Sequence, residues 1–349
     1  MAKTRRLGFF SRLLDDVSPP DRYRLGTEQM VVAERLGFAS AWVAQHHFHE
    51  DEGGMPAPFV FLAHVAAHTS VIRLGTGIVT LPLENPLRMA EDAAVLDALC
   101  GGRLEVGVGP GGTPSAFAAF GLDSTQRGEI LGRNLQVVLD AWAGQLLNGD
   151  DNRLYPAASR LPERVWQATF SVEGGARAGA AGDGLLLSRT QPRTPEAPGA
   201  TLADIQDPIV DAYLAALPSG REPRILGSRS VFVHEDRTRA RQLAEIGIER
   251  FTARLRSLGR AVTGRSLDEV MATFDMHVGT PEDVIASLGA DRTLDRVTDV
   301  AFQVHPIDPP HELILRSLEL VASQVAPALG LAVRGAQRAH AQSRVHELV

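Results

Sequence analysis

The stretch Ser40-Ala41-Trp42-Val43-Ala44-Gln45-His46-His47-Phe48 decides how this chain is interpreted. Its first half is a short apolar run bounded by polar residues, which is typical of a strand buried on both faces. Two adjacent histidines follow at the point where that strand is predicted to end. Enzymes built on parallel sheets place their reactive side chains at the carboxyl ends of the strands. The stretch therefore predicts that His46 and His47 lie at the catalytic edge of an α/β enzyme.

A second buried strand is predicted in the segment Ile72-Arg73-Leu74-Gly75-Thr76-Gly77-Ile78-Val79-Thr80-Leu81-Pro82. Two of its residues, Gly75 and Gly77, are glycines near its carboxyl end. A glycine in a strand has no Cβ, so another backbone or a flat ligand can approach it closely. The segment therefore predicts a ligand-facing strand beside the one that carries the histidines.

Strand and helix patterns alternate along the chain, which is the signature of a parallel sheet with crossover helices. Eight such units close most simply into one (β/α)8 TIM barrel with insertions after strands 4, 6 and 7, and an open doubly wound sheet is the alternative. The barrel is predicted over residues 1–330, followed by a polar tail over 331–349 for which disorder is one interpretation. The strands are predicted at 7–10, 40–44, 74–78, 104–109, 165–169, 184–188, 225–233 and 298–304. The helices are predicted at 23–36, 58–68, 86–99, 127–147, 174–181, 202–217, 237–258, 281–288 and 311–329.

The composition narrows the range of partners. The formal net charge is −7, and no predicted helix carries a cluster of lysine and arginine, which argues against nucleic-acid binding. The chain has no apolar run long enough to span a bilayer and no signal-peptide pattern at its start. A single cysteine, Cys100, excludes an internal disulfide framework. These features predict a cytoplasmic protein that binds neither membranes nor nucleic acid.

The two strand segments and the residues after them resemble the bacterial luciferase-like flavin monooxygenases, in an uncharacterised FMN-dependent branch. The resemblance runs from about Arg6 to about Leu329, and it is more specific for fold and cofactor class than for substrate. The matching residues are His46-His47-Phe48, Gly75-Thr76-Gly77-Ile78, Leu81-Pro82, Asn85-Pro86, Ala90-Glu91-Asp92, Leu96-Asp97, Gly102-Arg103-Leu104 and Gly107-Val108-Gly109.

The resemblance implies a (β/α)8 barrel that binds FMN as FMNH2 at its carboxyl-terminal mouth. It implies a monooxygenase that uses O2 and an unidentified small organic substrate. No nicotinamide fingerprint is visible in the chain, so a separate NAD(P)H:flavin reductase is expected to supply reduced flavin. It also implies a homodimer formed through the helices at 58–68 and 86–99.

The resemblance maps His46 onto the catalytic histidine of the family. Histidine suits proton transfer because its pKa lies near neutrality. His47 is the second catalytic candidate, and a structural role for it is equally compatible with the sequence. The preceding residue is Gln45, where the luciferases have a glutamate, so the local charge is lower here.

The resemblance also places cofactor contacts in the strand with the two glycines. Gly77 and Ile78 align with a non-proline cis peptide that forms a bulge under the flavin ring; an ordinary strand with two packing glycines is the alternative. Ser11 and Gly109 are further predicted cofactor contacts, and Ser188, which with Arg189 ends the sixth predicted strand, is a candidate for contact with the flavin ring or phosphate.

A phosphate site is predicted where the fifth strand leads into a helix. A hydroxyl and successive backbone N–H groups at a helix start form an anion site. Here the family pattern falls on Ser171, Gly174 and Gly175. The chain departs from the family at Phe170, where a glutamate is usual, and at Pro110, where the luciferases have an arginine. Simple capping of the helix by Ser171 is the alternative.

Other functions stay open from the sequence. One is an oxidoreductase on the same barrel that uses the deazaflavin F420, and another is a flavin-binding protein without turnover. His64 and His68 share a helix face at a spacing that suits a metal, but no third ligand is evident, so we interpret them as packing residues and expect no metal site. His305, at the end of the eighth strand, is a candidate for lining the pocket.

Overall fold

The computed structural model describes residues 5–147, 149, 151–194, 196–257, 264, 266–304 and 309–334. The described residues form a single sheet of eleven strands. The strands are β1 (Arg5–Ser11), β2 (Ser40–Val43), β3 (Arg73–Thr76), β4 (Val79–Thr80), β5 (Leu104–Gly109), β6 (Val165–Ala168), β7 (Gly184–Leu187), β8 (Ile225–Val233), β9 (Met276–Gly279), β10 (Asp299–Gln303) and β11 (Leu331–Ala332).

Eight of these strand positions close into a parallel barrel. The order is β10-β1-β2-β3-β5-β6-β7-β8, and β8 pairs with β10 to complete the ring. The short strand β4 continues β3 along β5, β9 pairs with the far half of β8, and β11 pairs with β1. The predicted TIM barrel is therefore confirmed, and the first residues of the predicted polar tail pair with β1. The tail from residue 335 onward lies outside the described residues.

The helices surround the barrel strands in the order that the sequence predicts. Two short helices, α4 and α9, and the strand β9 were not predicted, and they lie in the insertions after the fourth and seventh barrel strands. The helices are α1 (Pro19–Arg35), α2 (Pro58–His68), α3 (Pro86–Leu99), α4 (Pro114–Ala119), α5 (Arg127–Trp142), α6 (Val172–Ala181), α7 (Leu202–Ala216), α8 (Arg237–Ser257), α9 (Leu267–Thr273), α10 (Pro281–Gly289), α11 (His311–Leu320), a π-helical turn (Val321–Val325) and α12 (Ala326–Ala328).

The helix starts follow from local chemistry. Asn85 accepts hydrogen bonds from the N–H groups of Leu87 and Arg88, and a proline occupies the first helical position of α3. Thr280 and Asp283 form a reciprocal capping box at α10. None of the helices within the described ranges is long and apolar enough to cross a membrane.

Contacts along the chain divide it into two compact units. The first unit contains Met1–Ala41, Ser188–Asp207 and Ile225–Val349, and the second unit contains Trp42–Leu187 and Pro208–Arg224.

The second unit has an aromatic core that includes Trp42 on β2 and Trp166 on β6. Trp42 and Trp166 meet edge to face with their ring centroids 5.6 Å apart. A Cβ at Gly75 would lie 2.1 Å from the Trp42 ring, so only glycine fits beneath it. The indole N–H of Trp166 donates to Glu105 Oε2 at 2.8 Å, which satisfies the polar atom of this buried ring.

The first unit is held by ion pairs around its own strands. Arg229 on β8 is fully buried, and its Nε donates to Asp291 Oδ2 at 2.5 Å. A second nitrogen of the same guanidinium donates to Gln206 Oε1 at 3.1 Å, so the buried cation is paired.

Asp183, at the start of β7, is a buried acid in the second unit. Gln167 Nε2 donates to its Oδ2 at 2.8 Å. Burial raises the pKa of Asp183 to about 6, although the hydrogen bond from Gln167 and the charges of Arg224 and Arg221 act in the opposite direction. The folded chain therefore holds this proton more tightly than the unfolded chain does. Stability must fall as the pH rises from about 4 through about 6.

We predict that Asp183→Asn removes this loss. Relative to the parent, the free energy of unfolding of the variant should be about 2 kcal/mol higher at pH 8 than at pH 4. This size follows because one pKa unit corresponds to about 1.4 kcal/mol. Thermal unfolding at the two pH values measures the shift. A difference that is the same at both would show that Asp183 ionises normally in the folded chain.

Candidate functional site

The third barrel strand contains a one-residue bulge at its carboxyl end. Leu74 and Gly75 pair with Leu104 and Glu105, and the pairing resumes with Val79 opposite Val108. Three residues of the third strand therefore oppose two residues of β5. A bulge of this kind bends its strand away from the regular ladder, and bulges recur next to active sites. The bulged residues are Thr76, Gly77 and Ile78, and the residues opposite them are Val106 and Gly107.

Side-chain hydrogen bonds replace the ladder at the bulge. Thr76 Oγ1 donates to the carbonyl oxygen of Gly107 and accepts from the N–H of Gly107, both at 2.8 Å. A Cβ at Gly107 would lie 2.0 Å from the carbonyl oxygen of Thr76, so any other residue would collide with the bulged backbone. The N–H of Gly77 donates to the carbonyl of Val43 at 2.8 Å, which joins the bulge to the end of β2.

The peptide bond between Gly77 and Ile78 is cis, as the sequence predicts. Ile78 faces Gly109 at the end of β5, where a Cβ would lie 2.7 Å from Ile78 Cδ1 and 3.4 Å from Ala168 Cβ. Gly77, Gly109 and Ala168 together leave the strand ends around the bulge without large side chains. We call Gly77, Ile78, Gly109 and Ala168 the cofactor floor; three of the four are glycine or alanine, and the side chain of the fourth, Ile78, lies against Gly109.

Gln45 connects the segment before the histidines to the bulge. Its Oε1 accepts from the N–H of Thr80 at 2.7 Å, and its Nε2 donates to Glu84 Oε1 at 2.7 Å and to the carbonyl of Pro56 at 3.0 Å. The amide is buried and fully used. A glutamate here would bring two carboxylates within hydrogen-bonding distance. The luciferases have a glutamate at this position, and the nearby carboxylate of Glu84 explains why an uncharged glutamine suits this chain.

The two histidines have different surroundings. The strand β2 ends at Val43, so the histidines lie in the following loop and strand alternation does not decide where they point. The N–H of His46 donates to the carbonyl of Met55 at 2.9 Å, and its side chain is half-buried. The ring of His47 packs edge to face on Phe120 with the centroids 5.0 Å apart. The Nε2 atom of His47 is buried and has no hydrogen-bond partner in the part of the chain that the structure describes.

Burial lowers the pKa of His47, although the charge of Glu84 acts in the opposite direction. The ring is therefore neutral at neutral pH and has one nitrogen that donates and one that accepts. An unpaired buried nitrogen lacks the water that it would have in solvent, so a ligand atom that hydrogen-bonds to it recovers that interaction.

The predicted phosphate residues lie together at the start of α6. Ser171 Oγ accepts from the N–H of Gly174 at 3.1 Å, so the serine caps this helix. Ser171 is exposed, and the first N–H groups of a helix have no partner within it. The acidic Glu173 in the same turn opposes an anion. The structure thus contains the capped helix start that both interpretations require, and a phosphate role for it stays a prediction.

Both glycines of this turn are also required by packing. A Cβ at Gly174 would lie 1.9 Å from Thr169 Oγ1, and a Cβ at Gly175 would lie 2.5 Å from the carbonyl oxygen of Ile209 in α7. The N–H of Gly175 donates to the carbonyl of Ser171 at 3.1 Å within the helix. Close helix approach therefore accounts for Gly175 without a ligand.

The remaining predicted contacts lie in the first unit. Ser11 is fully buried, and its Oγ accepts from the N–H of Leu13 at 3.1 Å, which stabilises the turn after β1. The carbonyl of Ser188 accepts from Gln206 Nε2 at 2.7 Å. The cofactor roles of Ser11 and Ser188 stay predictions. His305 lies outside the described residues.

The exposed pair His64 and His68 on α2 have ring centroids 4.8 Å apart. No group of three or more histidine, cysteine, aspartate or glutamate side chains within the described ranges is arranged to hold a metal ion.

The sequence did not reveal the aromatic residues beside the site. Phe48 and Phe120 have ring centroids 5.7 Å apart, and both are exposed although they are large and apolar. Phe170, before the start of α6, is also exposed. Of the three, Phe170 directly follows a predicted strand, which was a usable signal. We call Phe48, Phe120 and Phe170 the aromatic rim.

We predict that Gln45→Glu destabilises the chain in a pH-dependent way. In the variant, the new carboxylate at position 45 and that of Glu84 face each other and share a proton, so the pair has a higher pKa in the folded chain than in the unfolded chain. The variant therefore loses stability as the pH rises above the ordinary pKa of glutamate. The loss relative to the parent should be about 1–3 kcal/mol at pH 8 and smaller at pH 5.

The matched control is Gln45→Met, which removes the same donor without adding a charge. Its loss should be similar at both pH values in thermal unfolding. Identical pH profiles for the two variants would contradict the assigned contact between Gln45 and Glu84.

Comparisons with known proteins identify the family of this chain. The sequence profile of the family described as luciferase-like monooxygenase matches residues 9–294. The uncharacterized protein y4vJ of Sinorhizobium fredii is 25% identical over 328 residues, which cover 88% of this chain and 91% of that protein. The oxygenase component of the flavin-dependent trigonelline monooxygenase of Acinetobacter baylyi is 27% identical over 158 residues, which cover 45% of this chain and only 44% of that protein.

Solved structures share the whole fold. The monooxygenase RslO1 of Streptomyces bottropensis superposes with a TM-score of 0.75 at 27% identity, over 93% of this chain and 99% of that one. The oxygenating constituent of 3,6-diketocamphane monooxygenase of Pseudomonas putida, solved with FMN, superposes with a TM-score of 0.75 at 17% identity. The match covers 95% of this chain and 99% of that one. The F420-dependent tetrahydromethanopterin reductase of Methanopyrus kandleri superposes with a TM-score of 0.65 at 19% identity, over 93% of this chain and 99% of that one. At identities below 25%, the last two structures show a shared fold alone. The profile match over residues 9–294 shows that this chain belongs to the luciferase-like monooxygenase family.

Proposed function

We propose that this chain is the oxygenase of an FMN-dependent monooxygenase that uses reduced flavin and O2. The observation that carries the proposal is the cofactor floor at the bulge of the third barrel strand. A tricyclic flavin ring is flat and wide, so it needs a surface without projecting side chains. Gly109 is held free of a Cβ by Ile78, and the bulge displaces Gly77 from the regular strand.

The residues beside the floor suit the other parts of FMN. The capped start of α6 at Ser171 offers N–H groups and a hydroxyl to the phosphate. The aromatic rim provides exposed apolar surface where a ring and an organic substrate meet solvent. The flavin-dependent relative from Acinetobacter baylyi supports the cofactor class.

The proposed reaction is balanced by two electrons from reduced flavin: one atom of O2 enters the substrate and the other leaves as water. Bound flavin supplies the electrons and the activation of O2. His47 Nε2 is the atom that we assign to hold or pass a proton, because it is buried, neutral and unpaired among the described residues. His46, which the family resemblance favours, stays the second candidate.

The partners follow from the same proposal. The Acinetobacter relative is named as an oxygenase component, which supports a separate NAD(P)H:flavin reductase for this chain. The homodimer and the cytoplasmic location stay predictions. Val60 on α2 is 74% exposed and Leu99 on α3 is 67% exposed, which supports a partner on these neighbouring helices. Sedimentation velocity distinguishes a monomer from a dimer.

The cofactor is tested by binding in parallel. The parent chain should bind FMN and FMNH2 more tightly than F420, and its complex with FMNH2 should react with O2 to give an oxygenated product only when an oxidisable substrate is present. A clear preference for F420 would replace the monooxygenase by a hydride-transfer enzyme. Binding without any turnover over a broad substrate panel would favour a flavin-carrying role.

The location of the cofactor is tested by filling the floor. We predict that Gly109→Val weakens FMN binding by about tenfold or more, which corresponds to about 1.4 kcal/mol, because the new side chain pushes Ile78 into the space of the ring. Fluorescence titration with FMN measures the change.

The matched control is Gly112→Ala in the following loop, where an added Cβ meets nothing within 4 Å. It should leave FMN affinity unchanged. Equal affinities for Gly109→Val and the parent, with both chains folded, would place the flavin elsewhere.

A further inference from the structure

Gln303 is a buried amide without a partner at the carboxyl end of a barrel strand. It is the last residue of β10, and its side chain is 0% exposed. Neither Nε2 nor Oε1 has a hydrogen-bond partner among the residues that the structure describes. Carboxyl ends of barrel strands are where enzymes of this fold bind their ligands.

The side chain of Gln303 belongs to the inner face of its strand. Val300, three residues earlier, lines a small cavity with Leu288 and Leu331 on the helix side. Successive strand residues alternate between faces, so Ala301 and Gln303 take the opposite, inner face. A Cβ added at Gly8 on β1 would lie 3.3 Å from Ala301 Cβ, as expected for inner positions of adjacent strands.

The neighbouring strand contributes further polar atoms to the same face. Ala301 pairs with Ser228 and Gln303 pairs with Ser230 on β8. Ser228 Oγ is buried and, like the amide, has no partner within the described ranges. Ser230 Oγ accepts from a guanidinium nitrogen of Arg189 at 3.4 Å, so a cation stands beside this face. Three unpaired polar atoms therefore lie on two adjacent strands.

Such a group is unfavourable unless something binds to it. A buried donor or acceptor without a partner has lost its hydrogen bonds to water and gained none in return, which destabilises the folded chain. A single bound water makes only a few hydrogen bonds. It does not require the adjacent donor and acceptor that the Gln303 amide presents. A ligand that presents an acceptor next to a donor satisfies both amide atoms at once.

We infer that Gln303, with Ser228 two positions before its paired residue on the neighbouring strand, binds the edge of a planar imide or amide, in which a carbonyl oxygen lies next to an N–H. The amide Nε2 donates to that carbonyl, Oε1 accepts from that N–H, and the Ser228 hydroxyl takes a second carbonyl. The nearby Arg189 disfavours a cationic ligand. This chemistry has two sources: the pyrimidine edge of the flavin, or a lactam or imide group of the substrate. The flavin source rests on the proposed function, and the substrate source does not require it.

The test compares Gln303→Met with the parent, since methionine has a similar length and no hydrogen-bonding amide. Thermal unfolding without ligand should give an equal or higher melting temperature for the variant, because an unpaired polar group has been removed. FMN affinity is measured by fluorescence titration, with 3-methyl-FMN as the flavin whose imide N–H is blocked. Glutarimide and N-methylglutarimide are the free imide probes, added with and without FMN and followed by NMR. Gln136→Met, at an exposed glutamine, is the matched control and should behave as the parent.

Two results support the inference and identify the source. A loss of about tenfold or more in FMN affinity, with 3-methyl-FMN unaffected by the substitution, assigns the site to the flavin. Unchanged FMN affinity, with glutarimide binding that is lost in Gln303→Met and absent for N-methylglutarimide, assigns it to the substrate. If the parent binds glutarimide but no flavin, the proposed function fails while the inference stands.

Two results overturn it. The first is identical binding of FMN and of both imides by the parent and by Gln303→Met, including the case in which neither chain binds any of them. The second is a lowered melting temperature for Gln303→Met with unchanged ligand affinities, which shows that the amide serves only to hold the fold.

Discussion

The mismatch of one residue between the third and fourth barrel strands is the constraint on which the candidate site depends. Thr76 closes the gap by bonding through its hydroxyl to both backbone groups of Gly107. Once the third strand bows out there, Gly107 must lack a side chain, and Ile78 is turned toward Gly109. Gln45 then ties the end of the bulge to the histidine loop. The floor and the anchoring of the histidine loop thus both depend on residues around a single change in register.

Much of the fold could be predicted because its signals are local. Buried strands such as Gly184–Leu187 are continuous apolar runs, and helices such as Pro86–Leu99 carry a cap and a proline at their start. The glycines of the bulge were also visible in the sequence. The short helix Pro114–Ala119 and the strand Met276–Gly279 were missed because each is too short to show a period. Their formation depends on packing against distant parts of the chain.

The site was less predictable because its contacts join residues far apart in sequence. Gln45 and Glu84 are 39 positions apart, and nothing in either segment alone indicates that they meet. The strand before the histidines stops at Val43, so the conformation of the following loop, and not strand alternation, decides where His46 and His47 point. Gly175 fits a phosphate-binding pattern, yet packing against Ile209 explains it equally well. Gln303 carried a usable signal in its place near the end of the last predicted barrel strand, 298–304.

The central claim is that the bulge is the seat of the flavin ring, and a crystal structure of the FMN complex tests it most directly. The account predicts that the middle ring lies over the Gly77–Ile78 peptide, with Gly109 within van der Waals contact and the phosphate at the start of α6. A flavin bound with its ring away from Gly77 and Gly109, while the bulge is retained, would contradict the account.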